Sequence, residues 1–409
     1  MRILVATDQW FPDRLGGVAR IATDTARGWA ERGHEVVVIA PRHAGTSAAE
    51  QAADGALRLH RVLPRGRFPQ TLSDPTATRR AARRLAGGRF DVLVAHCSTS
   101  AHGLLAARLD VPLVYVFHAD AAMEARYLRT KTGLGTRWLA AAAFEGRLRR
   151  MTARALHASA QVIVLSEFSR GLLSQISTDV ARGAVLTPGG VDADVFSPAN
   201  REGARARLGM NADATLLFTV RRHEPRMGLE NLLGAVQELD DLPGLNLVVA
   251  GGGDGVDVAA LRARLGLEGR VQLVGRVCDE ELALWHRAAD VFVLPTVAYE
   301  GFGLVTAEAL ASGTPVVGTR VGATPELLEP LDADLLARGT DSTALAEAIR
   351  YGLGVATPAF RARCREYAES RLAWKTVLPE WERVLLTARQ RRSEAAPSGR
   401  NPSRAPEGL

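Results

Sequence analysis

Short apolar runs alternate with longer amphipathic stretches along most of the chain. The runs are rich in valine and leucine and alternate little with polar residues, which is typical of strands buried on both faces of a parallel sheet. The stretches between them have helical spacing, so the order predicts repeated strand–helix–strand units and an α/β fold. The predicted strands are residues 3–6, 36–40, 92–95, 113–117, 162–165 and 185–187, and then 216–220, 247–250, 271–274, 291–294 and 316–318.

The two sets of predicted strands are separated by residues 187–198, which are dense in proline, glycine and aspartate. Such a segment is typical of a hinge, and the sequence predicts two doubly wound, Rossmann-like domains facing across a cleft. The carboxyl ends of their strands would line that cleft, where open α/β sheets bind ligands. The predicted division is an amino-terminal domain 1–186, a carboxy-terminal domain 187–371, a helix 372–390 that packs back on the first domain, and a disordered tail 391–409.

The composition is that of a globular protein with a large core. Of the 409 residues 47% are hydrophobic and 23% charged, which excludes disordered and collagen-like chains. No apolar run approaches the roughly 20 residues that span a bilayer. Cys97, Cys278 and Cys364 are scattered without metal-ligand spacing, which fits a reducing compartment. The sequence predicts a cytoplasmic protein without a bound metal.

Basic residues are concentrated in residues 126–154, which carry eight arginines and lysines against a single acid, Glu145. The ordinary interpretation is a solvated helix face. The alternative is a surface for an anionic acceptor, or a peripheral contact with the inner face of a membrane. The stretch contains no recognised nucleic-acid-binding module, so a nucleic-acid partner is not expected.

A Gly-Phe-Gly turn at residues 301–303 has the strongest chemical signal. It follows a predicted strand and leads into a helix that starts at Leu304, so backbone N–H groups and the helix dipole would favour a phosphate there. Glu300 precedes the turn and Glu308 lies about one helical turn inside. Carboxylates beside a bound diphosphate would accept hydrogen bonds from sugar or ribose hydroxyls. The alternative is a helix cap at Glu300 and a surface residue at Glu308.

This pair of glutamates around Gly-Phe-Gly-Leu resembles the signature of glycosyltransferase family 4, whose members are retaining nucleotide-sugar glycosyltransferases of the GT-B fold. Residues 16–19 with 33–38 are similar to the family's amino-terminal loop, helix and second strand. Residues 188–198 are similar to its interdomain motif. The resemblance extends from about residue 1 to 390.

The resemblance implies roles for individual residues. Glu308 would hold the ribose, Glu300 the donor hexose, and His118 would lie beside the transferred sugar as a catalytic residue. The residues expected to bind the donor through loop and turn are Gly16, Gly17, Glu300, Gly301, Phe302, Gly303, Leu304 and Glu308.

The phosphate-binding cations depart from the family pattern. Family members usually have an arginine after a strand and a lysine followed by glycine shortly afterwards. Arg222 is taken as the arginine, but Met227 stands where the lysine is expected. Arg226 would bind the phosphates instead, since its planar guanidinium binds two oxygens at once. Arg222 and Arg226 are therefore predicted to be catalytic and donor-binding.

The implied reaction is a metal-independent, retaining transfer of a hexosyl group from a GDP- or UDP-sugar to an acceptor hydroxyl. The nucleotide sugar is a co-substrate, and no other cofactor is expected. The acceptor would be a lipid, a glycan or a small metabolite. The donor's base and sugar, the acceptor and the oligomeric state are left open.

Motifs of other enzyme classes are mostly missing from the sequence. Asp-x-Asp sequences at residues 192–194 and 332–334 have the letters of a metal site but are expected to be turns. An NAD enzyme needs Gly-x-Gly-x-x-Gly after its first strand, which is absent. A phosphorylase needs a lysine for pyridoxal phosphate, and neither Lys131 nor Lys375 has a suitable context. A nucleotide-sugar epimerase of the same fold and a non-catalytic sugar-nucleotide-binding partner stay open.

Overall fold

The computed structural model describes residues 1–14, 16–43, 46–51, 55–63, 74–118 and 136–395. It contains two separate sheets, one formed before and one after the predicted hinge. All eleven runs predicted as strands contribute to these sheets. The α/β prediction is confirmed, because the buried valine- and leucine-rich runs form parallel strands with helices between them.

The first sheet has eight strands in the order β3-β4-β2-β1-β5-β6-β7-β8. All of its pairs are parallel except β3–β4. The sequence pattern missed these two strands, because β3 is very short and β4 alternates apolar with charged residues. The strands are β1 (Arg2–Ala6), β2 (Glu35–Pro41), β3 (Ala49–Gln51), β4 (Leu57–Val62), β5 (Val92–Ala95), β6 (Leu113–Phe117), β7 (Gln161–Val164) and β8 (Val185–Leu186).

The second sheet has six parallel strands in the order β11-β10-β9-β12-β13-β14. Only the two-residue edge strand β14 was not predicted. The strands are β9 (Thr215–Arg222), β10 (Leu245–Gly252), β11 (Val271–Gly275), β12 (Val291–Leu294), β13 (Val316–Thr319) and β14 (Leu336–Ala337).

Helices cover both faces of each sheet. In β1, Ile3 and Val5 enter one apolar cluster while Leu4 and Ala6 enter another, since successive side chains of a strand point to opposite faces. The helices are α1 (Gly17–Glu31), α2 (Pro75–Leu85), α3 (Ser98–Ala107), α4 (Thr136–Ala158), α5 (Glu167–Ser174), α6 (Thr178–Gly183), α7 (Arg201–Arg207), α8 (Leu229–Glu238), α9 (Val258–Arg264), α10 (Asp279–Ala288), α11 (Leu304–Ala311), α12 (Thr324–Leu328), α13 (Ser342–Val355), α14 (Pro358–Arg371) and α15 (Trp374–Ala395).

The chain crosses between the domains at two adjacent points. Val191, in the predicted hinge, forms a β-bridge with Ala373, just before α15. The Trp374 backbone N–H donates to the Val191 carbonyl at 3.0 Å. The Trp381 indole donates to the Pro188 carbonyl at 2.9 Å. The two connections are therefore held side by side.

Helix α15 lies against the amino-terminal domain. Trp381 is fully buried, and Glu382 pairs with Arg32 and His34 of the first domain at 2.8 and 2.7 Å. The helix continues to Ala395, so residues 391–395 of the predicted disordered tail are helical. Residues 396–409 lie outside the described part of the chain.

The basic stretch is described only from residue 136 onward, and residues 126–135 lie outside the described residues. On α4, Arg147, Arg149, Arg150 and Arg154 are exposed. No helix in the described ranges has the length and apolar character needed to cross a membrane.

Candidate active site

Two helix N-termini meet across the cleft. Gly17 opens α1 and Leu304 opens α11, and a Cβ built on Gly17 would lie 3.6 Å from Leu304 Cδ1. Gly16 and Gly303 precede these helices with positive φ angles of 143° and 92°, which glycine adopts without strain. The first N–H groups of a helix have no partner within it, so the pair of N-termini is suited to an anion.

The Gly-Phe-Gly turn contacts the amino-terminal domain directly. The Gly301 carbonyl accepts hydrogen bonds from the Ser166 and Ser169 hydroxyls at 2.6 and 3.0 Å. A Cβ on Gly301 would lie 2.8 Å from the His118 carbonyl oxygen. Glycine at this position is what lets the two backbones come together, and the turn and His118 are therefore neighbours.

Two predicted donor-binding side chains, Phe302 and Leu304, are packed inside the protein. The Phe302 ring lies 3.0 Å from where a Cβ on Gly189 would be, so it packs beneath the hinge and is 6% exposed. Leu304 packs against α1. Any contribution of these two residues to ligand binding comes from their backbone.

Glu300 is held by two side chains. The Arg221 guanidinium donates to Glu300 Oε2 at 2.8 Å, and the Thr296 hydroxyl donates to the same oxygen at 3.0 Å. Arg221 also donates to Thr296. Since Arg221 is only 8% exposed, this network lies inside the cleft wall and fixes the carboxylate beside the turn.

The side chains of Arg222 and Arg221 differ in their surroundings. Arg222 is 52% exposed and pairs with Glu224 at 2.8 Å, while Arg221 points to Glu300. Neighbouring residues of a strand face opposite sides, so the buried cation of this pair is Arg221, and the predicted phosphate contact of Arg222 stays a prediction. Arg221 is the functional candidate that the sequence reasoning missed.

Arg226 lies at the wall of the same site. Its guanidinium donates to the Tyr299 carbonyl at 3.2 Å and pairs with Glu224 at 3.2 Å. Both Arg226 and Met227 are buried, at 8% and 7% exposed. The structure therefore places Arg226 next to Tyr299, the residue that precedes Glu300.

Glu308 is buried rather than on the surface. Its Oε2 lies 3.7 Å from His286 Nε2, and His286 is fully buried against Phe218 and Phe292, with both ring centroids 5.1 Å away. Within the described residues, neither ring nitrogen of His286 has a hydrogen-bond partner. The structure therefore places Glu308 in the interior wall of the second domain, with Oε2 turned toward the His286 ring.

Charges on α1 approach Glu308 from the other domain. Arg20 pairs across the cleft with Asp279, and its Nη1 donates at 2.7 Å. Burial lowers the pKa of Arg20, but the hydrogen bond to Asp279 and the charges of Glu308 and Asp24 outweigh it and raise the pKa. Burial raises the pKa of Asp24 to about 6, against the opposing effect of Arg20.

His118 forms a buried pair with His96. The rings are stacked with centroids 5.2 Å apart, and His96 Nδ1 lies 3.0 Å from His118 Nε2, so one ring donates and the other accepts. Burial lowers the pKa of His118 to about 3. Burial and the His118 ring lower the pKa of His96 well below its usual range. Both rings are therefore neutral at physiological pH.

The two Asp-x-Asp sequences lie in turns, as predicted. Asp192 accepts from the backbone N–H of Asp194 at 3.0 Å, and Asp332 accepts in the same way from Asp334 at 3.0 Å. Across the described part of the chain, no three His, Cys, Asp or Glu side chains are grouped so that they could hold a metal ion.

Comparison with known families matches each half of the chain separately. Residues 15–195 match the model of Glycosyltransferase Family 4, and residues 213–353 match the model of Glycosyl transferases group 1. Among curated proteins, the D-inositol 3-phosphate glycosyltransferase of Mycobacterium tuberculosis is 34% identical over 248 residues, or 58% of this chain and 48% of that protein. The protein of that name from Mycobacterium bovis gives the same values. The matched region spans about half the length of these relatives.

Solved structures share the architecture of the whole chain. Sucrose-phosphate synthase from Thermosynechococcus elongatus superposes with a TM-score of 0.79 at 22% identity, over 97% of this chain and 100% of that one. HepE of Anabaena, solved in complex with UDP, gives 0.68 at 20% identity, over 97% and 99%. WaaG, which is involved in lipopolysaccharide biosynthesis, gives 0.68 at 20% identity, over 93% and 98%.

The fold is GT-B, with two Rossmann-like domains and a cleft between them. The amino-terminal half of the chain is similar to Glycosyltransferase Family 4, and the carboxy-terminal half is similar to Glycosyl transferases group 1. The predicted fold is confirmed, and both matches agree with the glycosyltransferase class predicted from the sequence.

Proposed function

We propose that the chain moves a hexosyl group from a UDP- or GDP-sugar to an acceptor hydroxyl, with retention of the anomeric configuration and without a metal ion. The observation that carries this proposal is the meeting of two helix N-termini at Gly17 and Leu304. The buried Arg221–Glu300 pair lies beside them. Such an arrangement binds a diphosphate through backbone amides and one buried cation.

The donor lies with its diphosphate between α1 and α11. Glu308, whose side chain is 8% exposed, accepts hydrogen bonds from the ribose. Glu300, held in place by Arg221, accepts from hexose hydroxyls. Crystal structures of HepE with UDP-glucose and of starch synthase IV with ADP and acarbose support a nucleotide-sugar donor.

The reaction breaks the bond between the anomeric carbon and the diphosphate, and the electron pair goes to the phosphate oxygen. Arg221, Arg226 and the two N-termini stabilise that negative charge, which is usually the largest catalytic contribution. The acceptor oxygen bonds to the same face of the anomeric carbon, and its proton goes to the departing phosphate. His118 orients the sugar as a neutral imidazole, because burial lowers its pKa to about 3.

The acceptor is a hydroxyl of a lipid, a glycan or a small metabolite that meets the amino-terminal domain. The Mycobacterium relatives are named for D-inositol 3-phosphate, which places a phosphorylated polyol among the small metabolites to test. A cytoplasmic location and peripheral contact with a membrane face remain predictions of the sequence.

The test is a thermal-shift screen of the full chain against UDP-, GDP-, ADP- and TDP-sugars in EDTA, followed by transfer assays. A donor at 100 times its dissociation constant adds about 2.7 kcal/mol to the folded state. Release of nucleoside diphosphate and an NMR coupling constant that shows retention would support the proposal. Stabilisation of the folded chain by a nucleotide sugar without turnover would favour a non-catalytic binding partner. Formation of an epimerised nucleotide sugar would favour an epimerase. Dependence on added metal would contradict metal independence.

A further inference from the structure

A cavity of about 360 Å³ lies on the outer helical layer of the amino-terminal domain, between α2, α3 and α4. Its volume falls in the range of small-molecule sites, which is roughly 300–1,000 Å³. Its lining residues all belong to α2, α3 and α4 or cap the start of α2, within the amino-terminal domain. The lining residues are Asp74, Pro75, Thr76, Arg79, His102, Ala106, Arg147, Arg150, Met151 and Arg154.

The lining is strongly cationic. Four arginines from two helices line the cavity, whereas the one acid among the described lining residues, Asp74, is buried and accepts from the Thr76 backbone N–H at 2.8 Å as the cap of α2. In the described part of the chain, no hydrogen bond or ion pair ties Arg79, Arg150 or Arg154 to another residue.

The positive charges also act on one another. Burial lowers the pKa of His102, and the charges of Arg154 and Arg147 lower it further. Like charges this close repel each other. The lining residues that the structure describes therefore carry a net positive charge, which favours an anion in the cavity.

We propose that this cavity is a phosphate-binding site, separate from the cleft, that takes a phosphomonoester. Guanidinium groups approaching from α2 and α4 match a tetrahedral dianion with three free oxygens, whereas a planar monoanionic carboxylate offers two. The start of α2, an 11-residue helix, forms part of the wall and also favours an anion. The phosphomonoester belongs to a soluble metabolite or to a lipid headgroup.

The test compares two variants with the same loss of charge. Arg150→Gln with Arg154→Gln removes two cavity cations, and Arg80→Gln with Arg84→Gln removes two exposed arginines of α2 that do not line the cavity. Glucose 6-phosphate, followed by calorimetry, probes the soluble source. Sedimentation with phosphatidylcholine vesicles, with and without phosphatidic acid, probes the headgroup.

The cavity variant is expected to lose about tenfold or more in affinity, as the loss of charge-assisted hydrogen bonds implies. The control should stay within about twofold. Binding to the cleft is common to both and cancels in the comparison. The probe whose affinity differs between the two variants shows whether the phosphomonoester is a soluble metabolite or a lipid headgroup. Equal losses in both variants, or no binding of either probe, would overturn the site.

A structural role predicts a different result. If the arginines only supported the fold, the ligand-free cavity variant would unfold at a lower temperature. Relief of repulsion instead predicts an unchanged or higher midpoint. Should that variant fail to fold, Arg79→Gln on α2 removes a cavity cation from the other side, and the same tenfold comparison applies against Arg80→Gln.

Discussion

Arg221 Nη2 lies 2.8 Å from Glu300 Oε2 and joins the end of β9 to the loop that leads into the Gly-Phe-Gly turn. Both side chains are largely buried, so removal of one partner would leave the other charge without compensation. The pair orients the glutamate and brings a positive charge to the place where a diphosphate would be held.

Arg221→Gln is expected to lower kcat by about 10²–10³, the typical cost of one stabilising donor. Arg222→Gln, one position along the same strand, is expected to change kcat by less than about threefold, because its side chain is half exposed. The measurement is steady-state release of nucleoside diphosphate by both variants. Equal losses of kcat, or a larger loss for Arg222→Gln, would show that Arg222 contacts the phosphate.

Glu308→Gln is expected to weaken donor binding about tenfold or more, since a carboxylate accepts hydroxyl hydrogen bonds more strongly than an amide. His286→Phe, which removes the neighbouring ring nitrogen and keeps the aromatic packing, should cost less. Calorimetry with the nucleoside diphosphate gives both affinities. An unchanged affinity of the Glu308 variant at unchanged stability would rule out its ribose role.

Gly301→Ala is expected to push the turn away from the first domain, because the new Cβ would lie 2.8 Å from the His118 carbonyl oxygen. Activity should fall by an order of magnitude or more, since small misplacements of reacting groups are costly. Gly183→Ala is the control, as a Cβ there meets nothing within 4 Å. Full activity of the Gly301 variant would show that the domains need not approach this closely.

Asp24 should make stability depend on pH. Its folded pKa is raised from 3.8 to about 6, so ionisation disfavours the folded state. The penalty is absent well below pH 3.8, grows between about pH 4 and 6, and is complete above pH 6, where it reaches about 3 kcal/mol. The free energy of unfolding of the wild type therefore falls by this amount as pH rises from about 4 to above 6.

Asp24→Asn keeps a carbonyl oxygen for the Trp374 indole, which donates to Asp24 at 3.1 Å, and removes the charge. Its stability relative to wild type is expected to increase by about 1.5 kcal/mol between pH 5 and pH 8. Urea unfolding of both proteins at the two pH values measures this difference. A constant difference would mean that Asp24 titrates normally.

The turn at residues 301–303 and the two glutamates around it were predictable because their signal is local. A strand end, two glycines and a helix start follow each other within about ten residues. The free N–H groups of a helix N-terminus then predict an anion site. Most strands of both sheets were predictable for a similar reason, since burial on both faces requires continuous apolar runs.

Other parts of the site depend on contacts that are distant in sequence. His96 reaches His118 from the neighbouring strand, and His286 reaches Glu308 from a different helix, so no spacing in the chain marks either pair. Arg221 was missed for a subtler reason. Only the pleat of β9 decides which of two adjacent arginines points inward, and the spacing of a motif does not report it.

The position of α15 has a consequence for biosynthesis. The helix covers the α1 side of the amino-terminal domain, where Leu378 Cδ2 lies 2.5 Å from where a Cβ on Gly28 would be. Yet α15 leaves the ribosome about 190 residues after β8 has been made. At roughly 5–20 residues per second, the nascent first domain keeps that apolar side exposed for roughly 10 to 40 seconds. The whole second domain is translated in this interval. The amino-terminal domain is therefore made first but completed last, when α15 packs on it.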